Sequence, residues 1–171
     1  YTLITSDHYY EGRLAAECLI DSGCKQIVCI RGEQSISSAR ERFSGFSDVC
    51  QENGMDACYI DCEHDFTFEG DIVAAIRDVS PKADGIFACN DMMTLSVYKQ
   101  LTQKGIRVQQ DISIVGFDDV MLSKLVTPEI TTIAQPIDKM GRMAVKLITG
   151  EQISQNAVVY KPELIKRETT K

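Results

Sequence analysis

The sequence predicts an α/β fold, a doubly wound parallel sheet with flanking helices, on three observations. Extended and helical signals alternate four times along the chain, as strand then helix. The strand candidates are nearly continuous apolar runs rather than in-out alternations, which suits strands covered on both faces. The connections are short, so each helix is the right-handed crossover between two parallel strands.

Taken in order, Tyr1 to Thr5 is extended, and Gly12 to Ser22 carries Ala15, Ala16, Leu19 and Ile20 on one helical face before Gly23 stops it. Gln26 to Ile30 is a short apolar strand. Ser37 to Asn53 is a helix with Phe43, Phe46 and Cys50 at helical spacing, and Ala57 to Asp61 is the next strand. Ile72, Val73, Ile76 and Val79 mark a helix that Pro81 ends; Gly85 to Cys89 is a strand. Asp91 is placed to cap a helix bearing Met93, Val97 and Leu101, closed by Gly105. Ile112 to Phe117 completes the alternation, with Gly116 expected to let the backbone turn out of the sheet. Beyond it the pattern breaks. Pro136 and Pro162 flank a helix of Ile137, Met140, Ala144, Leu147 and Ile148 ending at Gly150, and Val158 to Tyr160 is extended.

Composition narrows the function. The 171 residues suit one domain of ordinary size, and a net charge of -7 argues against this segment holding nucleic acid, because phosphate contacts need clustered Lys and Arg. The seven cysteines lack paired Cys-x-x-Cys spacing and fall within periodic elements, so they read as reduced core thiols of a cytoplasmic protein. No apolar run approaches a membrane span, and the amino end carries no signal-peptide pattern. Cys58, Cys62, His64 and Asp65 fail as a metal site, since alternation along a strand sends neighbours to opposite faces. Phosphate loops, Gly-x-Gly-x-x-Gly and Gly-x-Ser-x-Gly are all missing, so no cofactor and no enzyme activity is expected.

The candidate site lies where strands end. Asp118 and Asp119 close the run Asp111-Ile-Ser-Ile-Val-Gly-Phe-Asp-Asp-Val120 at a strand's carboxyl end, where open α/β sheets bind ligands. Asp118 can accept from two hydroxyls and, beside Arg42, is expected to stay ionised; Asp119 orders the following loop. In Ser38-Ala-Arg40-Glu-Arg42-Phe-Ser-Gly45-Phe46 the two arginines point to different sides of a helix, so at most one faces a given cleft. An arginine fork suits paired hydroxyls or a carboxylate, although Arg42 could instead pair with Asp48 or Glu41. Ser38 is placed to cap that helix or to donate to a ligand. In Gly85-Ile-Phe-Ala-Cys-Asn90-Asp91, Asn90 can donate to and accept from one hydroxyl, and Asp91 takes the cap.

These segments, with Ser123, Pro128 and the stretch Ile130-Thr-Thr-Ile-Ala-Gln-Pro136, resemble in order the effector domain of LacI/GalR transcription regulators. The resemblance implies a periplasmic-binding-protein-like type I fold, one lobe plus part of a second. Residues 1–135 would form the carboxyl-terminal lobe, with 1–5 a crossing strand; 136–153 would belong to the amino-terminal lobe, and 154–171 would return. A helix-turn-helix headpiece, a hinge and most of the first lobe would precede this chain in a longer protein. The family's Arg-x-x-Gly-aromatic motif selects Arg42, and its ligand positions fall on Asn90, Asp118, Gln135 and the aromatic Phe66, for which Phe68 is the alternative. Met121, Leu122 and Leu125 would form a homodimer surface, or else pack in the core. The implied partners are a sugar-like effector, a second copy, and operator DNA through the headpiece, without a membrane. A sugar-binding protein for transport is the alternative, and an enzyme using Asp118 or Asp119 as a base is a third reading.

Overall fold

The chain crosses from its first strand, β1 (Leu3–Ser6), into its first helix at Asp7, whose carboxylate accepts from the Tyr10 amide at 2.9 Å. That cap starts α1 (His8–Asp21) four residues before the Gly12 expected from sequence, and the extra turn carries His8 and Glu11. The structure, a computed structural model, describes residues 2–62, 68, 70–150 and 156–171. The alternation then runs as expected through β2 (Ile27–Arg31), α2 (Ser37–Glu52), β3 (Cys58–Asp61), α3 (Ile72–Val79), β4 (Gly85–Ala88), α4 (Asp91–Gln103) and β5 (Ser113–Phe117). A single 3-10 turn at Met121–Lys124 leads to β6 (Thr131–Ala134), α5 (Ile137–Ile148), β7 (Ala157–Tyr160) and β8 (Glu163–Ile165).

Strands order as β3-β2-β4-β5-β6-β8 in a six-stranded sheet, parallel except for β8, which runs antiparallel to β6. Period-two geometry divides each central strand between two cores. Ile27 and Cys29 of β2, Phe87 of β4, and Val115 and Phe117 of β5 meet α1 and α2 through Ala15, Leu19, Phe46 and Val49. Val28, Ile30, Ile86, Ala88 and Ile114 face α3 and α4 through Ile72, Ile76, Met93, Val97 and Leu101. The doubly wound sheet is thus present with both faces sealed. Strands β6 and β8, which the sequence did not announce, extend it; their polar Thr131 and Thr132 are buried and hydrogen-bonded to Thr170 and Asp91.

The remaining elements stand apart. β1 pairs in parallel with β7 in a separate two-stranded sheet, and α5 lies against β1. Residues 154–171 therefore do not all rejoin the larger sheet: β7 continues the smaller one, and the chain crosses back only at β8. None of the residues of α5 is buried, and Ile137, Val145 and Ile148 are exposed. Among the described residues, no helix is long and apolar enough to cross a membrane.

Candidate functional site

Helices α1 and α2 cross so closely that each needs a glycine. A Cβ on Gly12 would lie 1.8 Å from the Arg42 carbonyl oxygen, and one on Gly45 would lie 1.9 Å from that of Tyr9. The crossing brings Arg42 against Glu11, where Nε and Nη2 both donate to Oε2, at 3.1 and 3.0 Å. The partner of Arg42 is therefore neither Asp48, which accepts from the Tyr9 hydroxyl at 2.8 Å, nor Glu41. The guanidinium also lies over the Phe117 ring, 3.6 Å from its centroid. Glu11 is fully buried; its Oε2 stands 2.9 Å from His8 Nδ1, and His8 Nε2 is 3.2 Å from the Thr5 hydroxyl. Among the described residues, Glu11 Oε1 and Ser6 Oγ are buried without a hydrogen-bond partner.

At the end of β5 the turn is made by Asp118 and Asp119 themselves, at φ of 105° and 54°, not by Gly116. Gly116 serves a different need: a Cβ there would come within 2.2 Å of Asp91 Oδ1. The vacant space admits the Asp91 carboxylate, which accepts from the Thr132 hydroxyl at 2.8 Å and the Val120 amide at 2.9 Å and is fully buried. Burial pushes its pKa up. Because Asp91 is drawn inward, the cap of α4 is Asn90, whose Oδ1 accepts from the Met93 amide at 2.8 Å. The cap expected of Asp91 is thus made by Asn90. Asn90 Nδ2 donates to Cys89 Sγ at 3.6 Å.

Asp118 accepts from Gln135 Nε2 at 3.4 Å. Burial lifts its pKa to about 6 against the opposing pull of Arg42, still below neutral pH. Asp119 orders its loop, as the sequence suggested, through ion pairs to Arg167 and to Lys124 at 3.2 Å. Ser38 is half-buried and does not cap α2, which begins after Ile36 without a side-chain cap. Phe66 lies outside the described residues, as do His64 and Asp65; Phe68 packs against the core on the α3 and α4 side. Met121 and Leu125 are 76% and 69% exposed, which excludes the core alternative for them.

Asp118, Gln135, Pro136, Lys139, Arg142 and Glu163 line a cleft of about 510 Å³ between the larger sheet's carboxyl edge and the start of α5. Its walls are mostly polar side chains able to donate or accept, an arrangement for holding a hydroxylated molecule. Sequence reasoning missed Glu11, because a helix begun at Gly12 leaves it outside. The signal that would have found it is Asp7, three residues before Tyr10, as a cap.

Residues 16–170 match the periplasmic binding protein-like domain. The chain is 31% identical to the ribose operon repressor of Halalkalibacterium halodurans, over 99% of this chain and 52% of that protein. It is 34% identical to the HTH-type transcriptional repressor PurR of Pasteurella multocida, over 100% of this chain and 54% of that protein. Among solved structures, a periplasmic binding protein/LacI transcriptional regulator from Alkaliphilus metalliredigens, complexed with D-xylulofuranose, superposes with a TM-score of 0.87 at 32% identity, over 99% of this chain and 65% of that one. The chain spans about half the length of the curated relatives it matches. With the sheet order, the strand-end site and these matches in agreement, the chain belongs to the periplasmic binding protein-like domain family, in line with the LacI/GalR resemblance of its motifs.

Proposed function

We propose that this chain is the effector-sensing part of a LacI-type transcriptional repressor, and that it holds a small sugar or similar polar metabolite in the cleft beside Asp118. The observation that carries this reading is the meeting of Asp118 and Gln135 in a cleft at the carboxyl edge of a parallel sheet, with Arg42 over the adjoining Phe117 ring. Asn90 and Ser38 would add contacts, and Phe66 would stack on the apolar face of a sugar ring. Relatives whose ligands are named with them support the ligand class: one structure holds D-xylulofuranose, another cellobiose. That the relatives are repressors favours regulation over transport and over catalysis.

In this reading the larger sheet is one lobe, and β1, β7 and α5 belong to the other, so a ligand touching both favours a closed arrangement. A ligand that discriminates between open and closed states by ~1 to 3 kcal/mol is enough for a switch. A homodimer built on Met121, Leu122 and Leu125 would pass the change to DNA-binding headpieces outside this chain, in the cytoplasm. The test is calorimetric titration of the full-length polypeptide with ribose, xylulose, glucose and cellobiose, paired with operator-release assays. Saturable binding of one sugar together with altered DNA affinity is expected; turnover of any of them, or no binding by any, would refute the reading.

A further inference from the structure

Arg42 lies behind the cleft, over the ring of Phe117, the residue before Asp118, where its charge acts on Asp118, and it is already answered. Two of its donors are held by Glu11 Oε2, which is fully buried, and its flat face is held by Phe117. Among the described residues, the other oxygen of Glu11, also buried, has no hydrogen-bond partner. An isolated arginine in such a cleft would draw an anion; an arginine locked to a buried carboxylate presents only its remaining N–H groups. Asp118 lines the cleft itself, with the buried carboxylates of Asp91 and Glu11 acting on it from behind. The far wall supplies no excess of positive charge, because Lys139 and Arg142 stand beside Asp138 and Glu163, and Lys139 approaches Glu163 at 4.0 Å.

We propose that Glu11 is a positioning residue that sets the specificity of the cleft: by occupying Arg42, it makes the site select an uncharged polyol over the phosphate ester of the same sugar. The inference rests on the sugar-sensing reading above. A neutral hydroxyl can donate to Asp118 and accept from Nη1 of Arg42, the donor that Glu11 does not engage. A phosphate brings negative charge to a cleft already lined by four carboxylates, of Asp118, Asp119, Asp138 and Glu163, against two cations, Lys139 and Arg142.

The test titrates the full-length polypeptide with matched pairs: D-ribose and D-ribose 5-phosphate, D-xylulose and its 5-phosphate, D-glucose and its 6-phosphate. In the pair that binds, the neutral sugar is expected to bind at least ~10-fold more tightly. Glu11→Gln, nearly isosteric, is expected to narrow that ratio by ~10-fold or more, because Arg42 is then free to meet an anion. Glu11→Asp, which keeps the charge in the crossing, is expected to retain the preference. Tighter binding of a phosphate ester by the unaltered protein, or an unchanged ratio in Glu11→Gln, would overturn the role of Glu11 while leaving sugar sensing in place. Failure of every sugar, neutral or phosphorylated, would remove the sensing reading and this inference with it. Should Glu11→Gln not fold, the ratio in the unaltered protein and in Glu11→Asp decides.

Discussion

The larger sheet and the β1, β7 and α5 unit are made from similar residues and end in opposite states. In the sheet, every residue of β4 and β5 is buried, between helices on both sides. In α5, an equally regular apolar stripe has no buried member, and Leu3 of β1 and Val159 of β7 are exposed beside it. An amphipathic pattern thus reports which face of an element is apolar, and only the tertiary partners decide whether that face is covered. The two isoleucines that measure this difference most directly are Ile86, 0% exposed in β4, and Ile148, 84% exposed at the end of α5.

Truncating each to alanine in this chain gives the largest expected contrast. Ile86→Ala removes a fully buried side chain between β2, α3 and α4 and should cost about 2 to 5 kcal/mol of unfolding free energy. Ile148→Ala should stay within about 0.5 kcal/mol. Urea midpoints of the two variants check both numbers. Equal losses would mean that α5 is covered in solution, and the contrast between the regions would collapse.

The next effect belongs to the edge where the two regions face each other. Asp118→Asn replaces a carboxylate that accepts from Gln135 and should weaken sugar binding by the full-length polypeptide by roughly 10- to 150-fold, the worth of a hydrogen bond to a charged group. Stability should move the other way. The carboxyl group is raised to about 6 in the folded protein from 3.8, so the folded state holds its proton more tightly than the unfolded one. Its stabilising contribution is complete below pH ~4 and is lost as pH rises through about 6. Asp118→Asn should remove that pH-dependent loss and leave the protein more stable at neutral pH, which denaturant titrations at pH 4, 5, 6 and 7 would reveal. A variant less stable at pH 7 with an unaltered pH profile would show that Asp118 is not desolvated.

A smaller effect tests the rearranged cap. Asn90→Ala should cost about 1 kcal/mol through the lost bond to the Met93 amide, whereas Asn90→Asp, which still accepts, should cost less. If the two variants unfold at the same denaturant concentration, Asn90 is not the cap of α4.

How much of this was legible in the sequence follows from range. The alternation through β2 to β5 was legible because its signals are local: helical spacing in Ile72, Val73 and Ile76, and β5's apolar run up to Phe117. Strands β6 and β8 were not, because Thr131, Thr132 and Glu163 look polar until Asp91, Thr170 and the sheet edge are placed beside them. In the site, Asp118 was found from its position after a strand. Its raised pKa and the Glu11 pairing of Arg42 were not, since both depend on the approach of Gly12 and Gly45 across a helix crossing. That Asn90 rather than Asp91 caps α4 turns on Gly116, whose missing side chain is informative only once the Asp91 carboxylate is seen filling its place.

The smallest expected effect on stability concerns apolar groups that the larger region itself leaves outside. Met121 opens and Leu125 follows a 3-10 turn that is firmly tied down: Ser123 is buried, its hydroxyl donates to the Val120 carbonyl at 2.6 Å, and Arg167 reaches both Asp119 and the Ile130 carbonyl. An exposed apolar side chain on an anchored loop differs from one on α5, where the supporting element is itself uncovered. Leu125→Ser should therefore leave the unfolding free energy of dilute protein within about 0.5 kcal/mol. If this surface joins two copies in the full-length polypeptide, the same change should lower the sedimentation coefficient toward that of a monomer at micromolar concentrations. A variant that loses stability when dilute, with unchanged sedimentation, would place Leu125 in the packing of a single chain and move the dimer surface elsewhere.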